Sequence, residues 1–227
     1  MGREYERQVA VISTENIPRR TILSEDFEGV FKWYSFGTGT PTVEKNTTKA
    51  YRGNASLHIK TRTSTPAADD YAYAEILLGS TPDPILNLNL MVYIPSSVIP
   101  KYTTIILKVY ESGSTSDDTY GVRYDGVNHK FQIQTDATTW ENLEVVPDTF
   151  LENDPWMKYE LEVDRKNKKY KSLIISHKRY DLSNYSPYKN TPPSDMESIV
   201  LDIEVQTKDT TPVECWIDEI SITGKSF

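Results

Sequence analysis

Asp202 and Glu204 stand two residues apart in "VLDIE" (residues 200–204), a segment otherwise made of aliphatic side chains. Successive side chains of a strand point to opposite faces, so both carboxyls would share one face. Two carboxyls close together on one face can act as nucleophile and general acid in cleaving a glycosidic bond with retention, and a third acid in the preceding outward place would complete an alternating E-x-D-x-E. The first of those three places is held here by Val200, which can neither attack nor ionise. A retaining mechanism on this strand is therefore not expected. His58, His129 and His177 lie in "SLHIK", "VNHKF" and "ISHKR", without a G-x-S-x-G elbow or a plausible cysteine partner. No P-loop and no H-E-x-x-H is present. The expectation is a protein without catalytic function, although a site assembled from distant residues leaves no mark in a single sequence.

A second set of side chains suits binding. Tyr71, Tyr73, Glu75, Lys108, Tyr110, Arg123, Gln132 and Gln134 all fall on the polar side of segments that alternate polar and apolar residues. Sugars offer an apolar ring face edged by hydroxyls, which aromatic faces and Gln, Glu or Arg side chains match. If these segments are adjacent, the eight residues form one glycan or partner surface. Tyrosines also half-bury on the solvated side of any sandwich, and that reading stays open. Tyr185 and Tyr188, in the surface loop expected over "DLSNYSPYKNTPPSDMES", and Tyr180 just before it are a second candidate.

The elements that would carry these residues are strands. In "DDYAYAEILLG", Ala72, Ala74, Ile76 and Leu78 oppose Tyr71, Tyr73 and Glu75, the period of two that marks a half-buried strand. The same alternation places Leu86, Leu88 and Leu90 on one face of "LNLNLMVYIP", and Ile105, Leu107 and Val109 on one face of "YTTIILKVYES". Further strands follow at "TYGVRYD", "KFQIQTD", "WMKYELEVD", "YKSLIIS", "SIVLDIEVQT" and "ECWIDEISITG", separated by turn clusters such as "DGVNH" and "DRKNKK". About ten or eleven strands without crossover helices call for an all-β fold, a two-sheet antiparallel jelly-roll β-sandwich. Residues 1–22 read as an N-terminal extended arm containing the β-prone "RQVAVIST", and residues 23–227 as a single lectin-like sandwich domain.

Charge and cysteine content exclude other classes. With 25 basic and 33 acidic residues the net charge is −8, which disfavours a nonspecific grip on nucleic acid or anionic membrane. The basic "DRKNKKYK" reads as a charged hairpin turn. The single cysteine, Cys215, excludes an internal disulfide framework and reads as a buried strand thiol. No signal peptide and no apolar run of membrane-spanning length is present, so membrane insertion is not expected.

The two ends of the chain resemble jelly-roll carbohydrate-binding modules of the galactose-binding-like class. The residues that carry the resemblance are "DFEG" (26–29), Trp33, Gly37, Gly39, "TVEKNTTKAYRGNASLHIKT" (42–61) and "WIDEISITG" (216–224). Between them, "PWMKYELEVDRKNKKYKSLIIS" looks more like the hairpins of concanavalin-like lectins. The resemblance implies neighbouring first and last strands, with a structural calcium held by Asp26 or Glu28, the backbone around Arg52 and Gly53, and Asp218. The alternative is that these acids cap turns and pair with Arg52. Trp33 and Phe36 are expected to bury against the last strand near Trp216.

Three functions follow as expectations. The first is a non-catalytic structural or adhesive surface protein, such as a virion decoration or tail component, which would reach protein neighbours in an assembly through its arm. The second is a glycan-binding module of an exported polysaccharide-degrading system. The third is a glycoside hydrolase or lyase whose site the sequence hides. A virion or cell-exterior location goes with the first two.

Overall fold

The computed structural model describes residues 19–111, 116–153, 155–190 and 197–226. These form sixteen strands and one 3-10 turn, Asp148–Leu151, arranged as two antiparallel sheets packed face to face. The first sheet runs, in spatial order, β3 (Thr42–Asn46), β4 (Ser56–Lys60), β16 (Glu214–Lys225), β6 (Ile85–Tyr93), β11 (Trp156–Asp164), β12 (Lys169–Ile175) and β13 (Lys178–Asp181). The second runs β2 (Tyr34–Gly37), β5 (Tyr71–Gly79), β15 (Ser198–Gln206), β7 (Tyr102–Tyr110), β8 (Asp117–Asp125), β9 (Lys130–Gln134) and β10 (Trp140–Val145), with β14 (Tyr188–Asn190) beside the start of β8.

The expected alternation builds the core. Leu86, Leu88, Leu90 and Val92 of β6 face the interior together with Ile105, Leu107 and Val109 of β7 and Ile199, Leu201, Ile203 and Val205 of β15. Tyr170 crosses from the first sheet to the second. Its hydroxyl accepts the Gly121 N–H at 2.8 Å and donates to the Gln134 carbonyl at 2.9 Å, which gives a buried phenol the partners that burial demands. Cys215 is fully buried, and burial pushes its thiol well above the ordinary range.

β1 (Arg19–Glu25) pairs with the later half of β16, from Arg19 opposite Lys225 to Glu25 opposite Ile220. β4 pairs with the earlier half, and a register shift between Asp218 and Ser221 lies where β16 passes between the two along β6. The boundary placed after residue 22 thus falls inside a strand, while residues 1–18 of the expected arm lie outside the described residues.

Two other expectations change. The segment from 181 to 198 is not all loop, because Tyr188–Asn190 adds to the second sheet and Tyr180 lies in β13. Residues 191–196 lie outside the described residues. Trp33 is buried, tilted against Phe27 at 6.1 Å. Phe36 is instead 41% exposed, because β2 pairs with β5 and turns it outward. Trp216 stacks on His58 at 4.5 Å.

Of the acids assigned to calcium, Glu28 and Asp218 both hold the 51–55 turn through hydrogen bonds, whereas Asp26 bonds within its own turn. Asp218, fully buried, accepts the backbone N–H groups of Tyr51 (2.8 Å) and Arg52 (3.0 Å) on Oδ2 and that of Glu219 (2.8 Å) on Oδ1. Glu28 Oε1 accepts those of Asn54 (2.6 Å) and Ala55 (3.0 Å), which hold its carboxyl below the usual range. Asp26 caps its own turn through the Glu28 N–H at 3.1 Å. Gly53, at φ +65°, sits where a Cβ would run into the Glu28 carboxylate. Calcium takes six to eight oxygen ligands. Here the carboxylate oxygens face N–H donors, and no group of three or more His, Cys, Asp or Glu placed to hold a metal is found among the described residues. Glu28 and Asp218 thus form a hydrogen-bonded clasp on the 51–55 turn.

Asp218→Ala removes a charged acceptor from three amides, and charge-assisted bonds contribute about 1.5–3 kcal/mol each before the amides find water. A loss of about 3 kcal/mol is expected, which lowers the melting midpoint of a domain this size by roughly 5–10 °C. Thermal melts should show the same midpoints in calcium and in chelator. An unchanged Asp218→Ala midpoint removes the clasp, and a midpoint raised by calcium places a metal there.

Candidate functional site

The outer face of the second sheet is ordered in rows because every strand pair keeps its register. One row crosses seven strands: Phe36, Tyr73, Glu204, Thr104, Arg123, Gln132 and Asn142, each opposite the next. A parallel row holds Tyr34, Glu75, Asp202, Ile106 and Gly121, with Gln134 and Trp140 paired beyond it. Lys108 lies one row further, and Tyr110 closes that end opposite Ser198. Tyr71 and Tyr102 flank Gln206 at the other end.

Aromatic residues stand at the two sides of this face. Phe36 stacks on Tyr73 at 5.0 Å and 17°, and Tyr71 continues the stack at 6.2 Å. Across the sheet the Arg123 guanidinium lies 3.8 Å from the Tyr102 ring and 4.1 Å from the Trp140 ring. Its Nε donates to Gln132 Oε1 at 2.7 Å, and Gln132 Nε2 donates in turn to Asn142 Oδ1 at 2.8 Å. The fork is therefore held by two rings and an amide relay, a geometry that a lysine could not keep.

Between the aromatic sides the floor is buried and polar. Tyr34 is 59% exposed and Tyr71 39%, whereas Asp202 is 5% and Gln134 7%. Lys108 Nζ meets Asp202 Oδ2 at 2.5 Å. Asp202 Oδ1 and Gln134 Oε1 are buried and have no hydrogen-bond partner among the described residues. Gly121 makes room for this floor, since a Cβ there would lie 2.6 Å from Gln134 Oε1.

Burial dominates the electrostatics. It pushes Glu204 up to about 7, helped by the Asp202 charge and opposed by Lys108 and Arg123. Burial also raises Asp202 against the pull of Lys108, and raises Glu75 with the Asp202 charge adding to it. For Lys108 burial works downward, but Asp202 outweighs it and the net shift is upward. The Arg123 guanidinium is lowered by burial.

The eight residues singled out in the sequence, Tyr71, Tyr73, Glu75, Lys108, Tyr110, Arg123, Gln132 and Gln134, all stand on this one face. β15 brings the two groups together by filling the place between β5 and β7, and adds Asp202 and Glu204 to the centre. Phe36, Tyr102, Trp140 and Asn142 were missed. For Tyr102 the signal was present, because it has the same parity as Thr104, Lys108 and Tyr110. Tyr180 lies elsewhere, bonded to Glu144, and Tyr185 packs on the core.

No family model matches the chain, and no curated protein matches it in sequence. Solved structures do share the fold. An endo-β-1,4-glucuronan lyase from the fungus Trichoderma reesei superposes with a TM-score of 0.60 at 12% identity, covering 92% of this chain and 97% of its own. A carbohydrate esterase of Shiga toxin-encoding bacteriophage phi24B gives 0.57 at 13%, covering 92% and 100%. A carbohydrate-binding module of the β-sandwich superfamily gives 0.52 at 15%, with 87% of this chain covering 60% of that one. The chain thus shares its jelly-roll β-sandwich fold with these proteins. Among the described residues no helix is long and apolar enough to cross a membrane.

A carboxyl raised from 4.5 to about 7 on folding favours its neutral form in the folded state. Its contribution is fully present below pH 4.5 and is lost as pH rises through 7. Glu204→Gln should therefore gain stability relative to the parent between those pH values, on the order of 2–3 kcal/mol by pH 8. Urea denaturation at pH 4.5 and pH 8 measures it. A pH-independent difference between the two proteins contradicts the burial assigned to Glu204.

Proposed function

We propose that the protein binds a polysaccharide chain laid across the outer face of the second sheet. The observation that carries this reading is the buried polar floor between two aromatic sides. Oxygens of Asp202 and Gln134 lack partners there among the described residues, although buried polar groups are nearly always paired, and the carboxyls and amides around them suit the hydroxyl edges of a sugar stacked on the rings. Seven strands spaced by about 4.8 Å make the row roughly 29 Å long, which suits an extended chain better than a single sugar. The fold is shared with a module named for binding carbohydrate and with enzymes named for acting on it. The adhesive surface role expected from the sequence would use this same face. Residues 1–18 of its arm lie outside the described residues.

Affinity electrophoresis and calorimetry against a mixed-linkage β-glucan, an unsubstituted xylan, a glucomannan and an alginate test the reading. Phe36→Ala and Trp140→Ala are each expected to weaken binding about tenfold, as loss of a ring contact of roughly 1.4 kcal/mol would. Tyr51→Ala, in the clasp near Trp156 of the first sheet, should leave affinity unchanged. Equal losses in all three variants, or none in the first two, would overturn the proposed face.

A further inference from the structure

The place left vacant by Val200 on β15 is met from the neighbouring strand. Glu75 of β5 stands directly opposite Asp202, and so diagonally across from Glu204. Diagonal neighbours on one face of an antiparallel pair have backbones about 7–8 Å apart, so two long Glu side chains rising from them can flank a single glycosidic bond, as the carboxyl pair of an inverting glycosidase does with room for a water. Asp202 sits beside both, paired with Lys108 and hydrogen-bonded to the Glu75 carboxyl. Tyr73 and Arg123 flank the group along the row, so a chain stacked on the aromatic sides passes directly over it.

We propose that Glu204 and Glu75 are the acid and base of a hydrolase that cleaves, with inversion, a neutral polysaccharide lying across this face. The proposal rests on the binding reading above. A neutral chain is favoured because three carboxyls here meet only Lys108 and Arg123. In the step, Glu75 takes a proton from water and the water oxygen bonds to the anomeric carbon. The bond from that carbon to the bridging oxygen breaks, and Glu204 gives its proton to the departing oxygen. The products are two shorter chains, one with a new reducing end of inverted configuration. The proton on Glu75 returns to Glu204 through solvent. Burial keeps Glu204 protonated near neutrality, as a general acid requires.

The parent, Glu204→Gln and Glu75→Gln are incubated with each neutral polysaccharide of the panel that the parent binds. Reducing ends are counted, and the first-formed anomer is read by proton NMR. The parent should release reducing ends of inverted configuration, at a rate that falls as pH rises past about 7. Each Gln variant should lose about 10²- to 10⁴-fold in rate while binding within a few-fold of the parent, which also shows that it folds. A bound polysaccharide left intact overturns hydrolysis and leaves the binding reading standing. Retained configuration, or an undiminished Glu204→Gln rate, overturns the assigned pair. Failure to bind any member of the panel overturns both readings.

Discussion

The structure depends on β15 being paired along its whole length on both sides. All nine of its residues are in register with β5 and with β7, without a bulge. A slip of one residue on either side would carry Ile199, Leu201, Ile203 and Val205 out of the core and turn Asp202 and Glu204 into it. The aliphatic half of this strand therefore fixes where the acidic half stands. The rows of the outer face are as straight as the core beneath them is well packed, and side chains brought together from 170 residues of sequence line up without any loop having to place them.

That arrangement sets stability against use. A buried floor with oxygens unpaired among the described residues and a carboxyl raised to about 7 both oppose folding. What offsets them lies on the other side of the same strands and at the chain ends: a continuous aliphatic core, the Tyr170 phenol tying β12 to β8 and β9, and the Asp218 clasp. Strain at functional sites is commonly balanced elsewhere in a fold, and here the two lie back to back across one sheet.

Alternation made the core faces of β5, β6 and β7 readable, along with the outward set from Tyr71 to Gln134, because a period of two is a local property. Pairing over long separations was not. Nothing near residue 75 or 108 announces that residues 198–206 will come between them, so the partnership of Glu75 with Asp202 and Glu204 had no local trace. Phe36 was misplaced for a related reason. A four-residue strand rich in aromatics looks like core, and only its pairing with β5 turns it outward. Trp140 and Asn142 do alternate in "WENLEV", and the pattern is short and interrupted by acids. At the clasp the acids and the turn around Arg52 and Gly53 were legible, but not that its N–H groups bond Asp218 and Glu28 directly, because backbone N–H groups leave no signature in a sequence.

Arg19 and Lys225 stand opposite each other where β1 meets β16. The two ends of the described chain therefore leave the molecule side by side at one corner. A tension drawing these two points apart would load the pairs of this ladder one after another from Arg19 inward, so it would peel them at low force. A pull on either point directed along the strands would load all of them together and meet far greater resistance. Mechanically, the domain is weak when its ends are parted and strong when it is held through one end against drag along its strands.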